Sequence, residues 1–311
     1  VVRAPAGQPP PAGGVDLDRT ALVFDGRRRS HRDLRAQAGR VAAGLIGLGV
    51  KAGDPVGVLS GNCLEYVEVE AGIGLAGAAS VHLDPRLPPT AIAALLTRSG
   101  AQAVFVEGSL LSALGTLRRA GQMPRLRTIV ALGAGPGDLD YEELCSGPAG
   151  GEVETLGPLS ADDLALAQAL RLDSGCSTYV VSDLVLAGRD VLVWPLLAVG
   201  GEVHLCRSGP FAPRPVLSYL GAHRISHVAW TPAMLRAALA TDLLTAPGWR
   251  RLGGIVCVGG GFADGLVAEA RRALPGTTVL RVAPSDCRFG QLPGRGPGDR
   301  IEGWERTRRT R

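Results

Sequence analysis

Short apolar runs and amphipathic helical stretches alternate along most of the chain, and that alternation limits the fold more than any other feature. Ser30, with Asp33 three positions on, opens a helix in capping-box style. Leu34, Ala38, Val41, Ala42 and Leu45 then recur at helical spacing up to Gly47. After a Gly53-Asp54 turn, Pro55 to Leu59 is a short apolar run suited to a strand buried on both faces. The pattern continues with helix 64–76, strand 78–83, helix 88–98 and strand 101–106. The second half predicts strand 190–194, a helix-like 195–200, strand 202–206, helix 213–222, strand 226–229, helix 232–242, strand 253–258, helix 263–273 and strand 277–282. Parallel strands need crossovers, and helices of this length supply them, so the fold class is α/β with two doubly wound, largely parallel subdomains. Ahead of them, 21–24 and the segment after the Asp25-Gly26 turn read as a hairpin.

The expected organisation is a flexible, Pro- and Gly-rich lead-in at 1–14, a first subdomain at 15–150, a second at 151–293 and an Arg-rich tail at 294–311. With 46% hydrophobic but only 4% aromatic residues, the core must be built mainly from Leu, Val and Ala. A net charge of +4, with basic runs only at Arg27–Arg29 and in the tail and no aromatic interleaving, argues against nucleic-acid binding. Both runs read as solvated surface. Six scattered cysteines form no C-x-x-C pair, which indicates neither a zinc site nor a disulfide framework. Apolar stretches break well before membrane-spanning length, and no signal peptide is seen, so the expectation is a soluble cytoplasmic protein with no membrane partner. Lys51 is the only lysine, and the Arg-, Ala- and Gly-rich composition suits a GC-rich bacterial source.

Several ordered phrases carry a resemblance. Gly44 to Val50, Lys51 to Leu59, Asn62-Cys-Leu-Glu-Tyr-Val67, Gly77 to Arg86 and Ser99 to Val106 resemble the opening of acyl-CoA synthetases. Pro195 to Gly201, His227 to Leu235 and Val258-Gly-Gly-Gly261 follow in the family's order. The chain thus resembles, over roughly 20–290, the N-terminal part of adenylate-forming enzymes. That resemblance implies two α/β subdomains without the small C-terminal domain, and a reaction in which a carboxylate attacks the α-phosphate of ATP.

Such chemistry needs a Gly/Ser/Thr-rich loop around the phosphates, a cation and an acid for Mg²⁺. Asp173-Ser-Gly-Cys-Ser-Thr178 stands where the resemblance implies the phosphate loop, without its Pro-Lys-Gly, and Asp173 would repel phosphate. Ser174, Gly175, Gly259, Gly260 and Gly261 form a degenerate nucleotide site in this reading. Val282 to Asp286 stands for the family's Tyr-Gly-x-Thr-Glu, with only Ser285 and Asp286 keeping hydroxyl-then-acid character. The acyl pocket would be marked by Ala198, Trp230, Thr231 and Gly260; Trp230 either lines it as an aromatic platform or packs in the core. The expectation is no ATP, Mg²⁺ or other cofactor.

A dinucleotide fold is disfavoured because Gly259 to Gly261 lacks G-x-G-x-x-G spacing, and a serine hydrolase because Ser174-Gly175 is no nucleophile elbow. Three functions remain. One is a repurposed enzyme that binds or converts an acyl-type or aromatic intermediate, with His227, Asp286, Ser285 and His204 as candidate catalytic groups. Another is a non-catalytic partner of an acyl carrier protein or biosynthetic enzyme, with a homodimer compatible with either. The third is a residual ligase.

Overall fold

The computed structural model describes residues 15–133, 135–147, 153, 156, 160–184, 191–241, 243, 252–259 and 264–282. The lead-in 1–14 and the tail 294–311 lie outside them.

The first elements are strands β1 (Thr20–Phe24) and β2 (Arg27–Ser30), then helix α1 (His31–Gly47). Asp25 and Gly26 both take positive φ, 52° and 77°, as a two-residue hairpin turn requires. Ser30 Oγ accepts from Asp33 N while the Asp33 carboxylate accepts from Ser30 N, so the capping box is present. The five-stranded sheet contains β3 (Pro55–Leu59), β4 (Ala79–His82), β5 (Ala103–Glu107), β6 (Thr128–Leu132) and β7 (Leu139–Asp140). Helices α2 (Leu64–Leu75), α3 (Pro89–Ser99), α4 (Gly108–Arg119) and the short α5 (Tyr141–Leu144) alternate with these strands. Helix α6 (Ala161–Leu170) leads to β8 (Ser177–Val180), followed by α7 (Val193–Ala198), β9 (Glu202–Leu205), α8 (Pro213–His223), β10 (His227–Trp230), α9 (Pro232–Leu239), β11 (Gly254–Val258), α10 (Asp264–Ala273) and β12 (Thr278–Val282).

Both sheets wind the same way. The smaller runs β4-β3-β5-β6-β7, and the larger runs β12-β11-β10-β8-β9 before β1 and β2 extend it. In each case the second strand in sequence flanks the first and the third crosses to the other side, a doubly wound order that reverses between β3 and β5 and between β8 and β10. All pairings are parallel except β1 with β2. The hairpin, first in sequence, pairs with β9 in the later sheet, Val23 opposite His204.

Helices α1 and α2 fill the space between the two sheets. Leu34, Val41 and Leu45 of α1 and Val67, Val69 and Ile73 of α2 share one core with Val56, Val58 and Phe105 of the smaller sheet and Leu22, Val203 and Val256 of the larger. Helices α3 and α4 cover the outer face of the smaller sheet, and α8, α9 and α10 that of the larger. The middle helices approach closely: a Cβ on Gly72 would lie 2.4 Å from Val41 Cγ1.

One expected element is corrected. Residues 191–194, the described part of the expected strand 190–194, are not a strand: Val193 and Trp194 open α7. Pro195 sits in the first turn, where its missing N–H costs nothing, and Leu192, Val193, Leu196 and Leu197 are buried on one face. The strand of this region is β8, in the stretch taken from the sequence as a loop remnant.

Gly72 and Gly74 lie on the same helix in opposite settings. Gly72→Ala is expected to lower unfolding free energy by about 2 kcal/mol through overpacking against Val41, and Gly74→Ala, which meets nothing within 4 Å, to raise it by about 0.5 kcal/mol. Urea titrations of both variants check the pair.

Candidate functional site

Open α/β sheets present ligands with a crevice outside the carboxyl ends of their strands, at the reversal of winding. In this chain the two reversals face each other across Asn62, which follows the carboxyl end of β3. Its Nδ2 donates to the carbonyls of Ser182 at 2.9 Å and Cys206 at 3.0 Å, just past the ends of β8 and β9. Its Oδ1 accepts from Leu184 N at 2.8 Å, and its own N–H reaches Ser208 Oγ at 3.2 Å. The side chain is buried, so each bond replaces water that cannot reach it.

Beside Asn62 lies a cavity of about 520 Å³ at the ends of β3, β5 and β6. Ser60 to Cys63, Glu107, Leu132 and Tyr141 are among its lining residues. Glu107, the last residue of β5, accepts from Gly61 N at 2.7 Å. Burial pushes the Cys63 thiol up to about 12, and its sulfur accepts from Tyr66 N as the cap of α2, so it is a neutral structural group. Behind the cavity, Glu68 is fully buried and bonded to Arg29 at 2.9 Å and Tyr141 Oη at 2.8 Å. Burial raises its pKa, while those two bonds pull the other way. Across Asn62, Asp183 is nine-tenths buried: Arg86 stands 3.3 Å from its Oδ2, and Oδ1 has no hydrogen-bond partner.

The sequence-derived candidates do not converge on this place. Thr231 caps α9 through Met234 N at 3.3 Å, and Gly259, at φ 115°, follows β11; both lie at the carboxyl ends. Ser174 and Gly175 precede β8 and lie at its amino end, in a turn closed by Gly175 N to Asp173 Oδ1 at 2.8 Å. A strand of four or five residues separates the two ends by about 15 Å, so these residues cannot wrap one phosphate with Gly259. The reading of Asp173–Thr178 as a phosphate-loop remnant is therefore corrected: Ser177 and Thr178 are buried residues of β8 itself. The error came from matching a short Ser-Gly phrase without knowing which end of the strand it capped.

His227 opens β10 at the amino end, with Nδ1 2.8 Å from Ser226 Oγ and the ring against Gly253 and Gly254. Burial depresses its pKa. His204 is buried in β9, with Nδ1 2.9 Å from Tyr219 Oη and Nε2 3.3 Å from Glu202. Tyr219 lies between Tyr179 and His223, at centroid distances of 4.1 and 4.0 Å. Trp230 is 1% exposed and packs edge-on to Phe211 under α8 and α9, so it belongs to the outer core rather than to a crevice. Ala198 ends α7, half-buried. Ser285, Asp286, Gly260 and Gly261 lie outside the described residues.

A model of AMP-binding enzymes matches residues 12–168. The chain belongs to the AMP-binding enzyme family. Among curated relatives it is 36% identical, over 135 residues, to the 7a-methyl-1,5-dioxo-octahydro-1H-inden-4-yl-propanoyl:CoA ligase of Mycobacterium tuberculosis, matching 43% of this chain and 26% of the ligase. It is 26% identical over 264 residues to bacitracin synthase 3 of Bacillus licheniformis, across 80% of this chain and 4% of the synthase. The chain therefore spans a minor part of these relatives' length. Among solved structures, the N-terminal domain of FACL13 from Mycobacterium tuberculosis superposes with a TM-score of 0.70 at 17% identity, covering 86% of this chain and 72% of that one. At that identity the likeness speaks for the fold. Among the described residues, no helix is long and apolar enough to cross a membrane.

Sequence reading also passed over Glu70, which carries no motif. Its Oε1 is buried without a hydrogen bond and stands 3.6 Å from His82 Nδ1. Burial pushes its pKa up to about 7 from an ordinary 4.5. The folded chain thus holds this proton where the unfolded chain has lost it, so the stability it confers is complete below pH 4.5 and lost as pH rises towards 7. Glu70→Gln is expected to flatten that loss and to raise stability at pH 8 by up to about 3 kcal/mol. Denaturant midpoints at pH 5 and pH 8 for both proteins give the comparison.

Proposed function

We propose that this chain is the N-terminal part of an acyl-CoA synthetase-like protein that has lost ATP-dependent carboxylate activation and holds an acyl-type intermediate or a partner protein instead. The observation that carries the proposal is the chemistry at the carboxyl end of β8, the reversal point of the larger sheet. A triphosphate needs free backbone N–H groups and positive charge there. Leu184 N is already bonded to Asn62, and the residue before it is Asp183, a carboxylate with an unsatisfied oxygen. Residues 181–192, Val-Ser-Asp-Leu-Val-Leu-Ala-Gly-Arg-Asp-Val-Leu, contain one glycine and no lysine, and their single cation, Arg189, is outnumbered by Asp183 and Asp190. These residues do not fit ATP and Mg²⁺.

A binding role is favoured over conversion of the intermediate. His204 is embedded in the sheet under α8 and His227 sits at the opposite end of the strands, so neither described histidine candidate stands at the carboxyl ends with a reacting group. With Trp230 withdrawn into the outer core, an aromatic platform in the crevice is also unsupported.

Calorimetric titration with ATP and Mg²⁺, beside ATP–pyrophosphate exchange in the presence of short-, medium- and long-chain carboxylates, tests the proposal. No saturable ATP heat and no exchange above a protein-free control are expected. Carboxylate-dependent exchange would overturn it.

A further inference from the structure

At the amino ends of the smaller sheet, a strand's length away from the crevice, a second cavity of about 290 Å³ opens between the turns that precede β5 and β6. Gly100, Gln102, Pro124, Arg125 and Arg127 line it. Its walls are fastened together: Thr97 Oγ1 donates to Gln122 O at 2.8 Å, Arg127 N to Gln102 O at 2.8 Å, and Gln102 Nε2 to Asp54 Oδ2 at 3.4 Å. Arg125 lies against the end of α3, where a Cβ on Gly100 would come within 3.3 Å of its Nη1. The cavity is thus preformed, and little ordering is needed to fill it.

The charge around it is uncompensated. Elsewhere arginines meet carboxylates: Arg27 and Arg29 on β2 do, and so does Arg118, with Asp138, at this same end of the sheet. Arg125 and Arg127 are exposed, and among the described residues neither guanidinium has a carboxylate or hydrogen-bond partner. The same holds for the side chains of Lys51, in the turn before β3, and Arg98, in the last turn of α3. Asp54, the carboxylate nearest in these turns, is occupied by the neutral donors Lys51 N and Gln102 Nε2. Helix ends attract basic residues to their free carbonyls, but here the backbone serves them already. Leu96 O and Thr97 O accept from Gly100 N, while Thr116 O, Leu117 O and Arg118 O accept from Ala120 N, Gln122 N and Gly121 N. The donors of Arg125 and Arg127 are therefore spare.

Size and charge spacing select the ligand. Small-molecule sites run from about 300 to 1,000 Å³, so this cavity, at the bottom of that range, suits one side-chain carboxylate rather than a whole metabolite. Guanidinium groups match a carboxylate in charge and in shape. The flanking cations on two neighbouring turns extend the field beyond the cavity, as a polypeptide with several acidic residues requires. No aromatic residue stands in 51–54, 97–102 or 120–127 to stack a base. We propose that the amino end of the smaller sheet docks a partner protein through an acidic segment, with one carboxylate seated in the cavity that Arg125 and Arg127 line and further ones facing Lys51 and Arg98. This rests on the part of the preceding reading that gives the chain a partner protein, and it names that partner's chemistry.

Fluorescence anisotropy of a dye-labelled peptide of alternating Glu and Ala tests the proposal, with the corresponding Gln peptide and a DNA duplex as separate arms. Saturable binding of the Glu peptide is expected, absent for the Gln peptide and weakening as salt screens the arginines. The Arg125→Gln/Arg127→Gln variant should bind roughly fivefold more weakly. Arg236→Gln/Arg272→Gln, an equal loss of charge on α9 and α10, should bind as the parent does. Both pairs are exposed, so all three proteins are expected to fold. No saturable binding, an equal loss in both double variants, or tighter binding of the duplex would overturn the proposal. So would an unaffected Arg125→Gln/Arg127→Gln protein, which would assign the peptide to other cations such as those of 294–311. Failure here removes only the acidic partner, because the loss of adenylation is judged separately, by carboxylate-dependent ATP–pyrophosphate exchange.

Discussion

One carboxamide stands at the junction of this molecule. Asn62 leaves the end of β3 and satisfies two carbonyls and one N–H belonging to the loops after β8 and β9. Neither set of loop ends can be rearranged alone without stranding a buried polar group, which costs far more than a typical hydrogen bond returns. The crevice geometry of both sheets is therefore set jointly. The middle helices add the apolar half of the same constraint, since α1 and α2 fill the gap between the sheets and meet closely at Gly72.

The fold was largely legible in the sequence because most of its signals are local. Asp25-Gly26 demands left-handed backbone, and Ser30 with Asp33 satisfies helix donors within four residues. The strands at 55–59, 254–258 and 278–282 are short apolar runs bounded by Gly, Pro or Asp. The failure at 190–194 is of the kind periodicity cannot resolve: four consecutive apolar residues suit a buried strand and a buried helical turn equally. Only the neighbouring β8, occupying the central position of the larger sheet, decides between them.

The site was less legible, for a different reason. Whether a residue lies at the amino or carboxyl end of a strand depends on strand boundaries, and an error of a few residues moves it across the sheet. Ser174, Gly175 and His227 fall at one end while Thr231 and Gly259 fall at the other, although all come from phrases in the family's order. Asn62 was visible in the opening motif, but its partners lie more than a hundred residues away. Glu68 and Asp183 carried no motif; their importance comes from burial, which composition does not reveal.

The hairpin of β1 and β2 has a consequence for synthesis. It is among the first parts of the domain to leave the ribosome, yet its lateral neighbour β9 lies about 180 residues later in the chain. At ordinary translation speeds that is a wait of roughly ten to forty seconds, during which an apolar strand with an open edge is a template for pairing with other chains. Arg27, Arg28 and Arg29 lie on its outer strand, and their eventual partners Glu65, Glu68 and Glu202 are all made later. Until then the unpaired arginines give the nascent hairpin like-charge repulsion, so the same residues that fasten the finished edge also protect it while it waits.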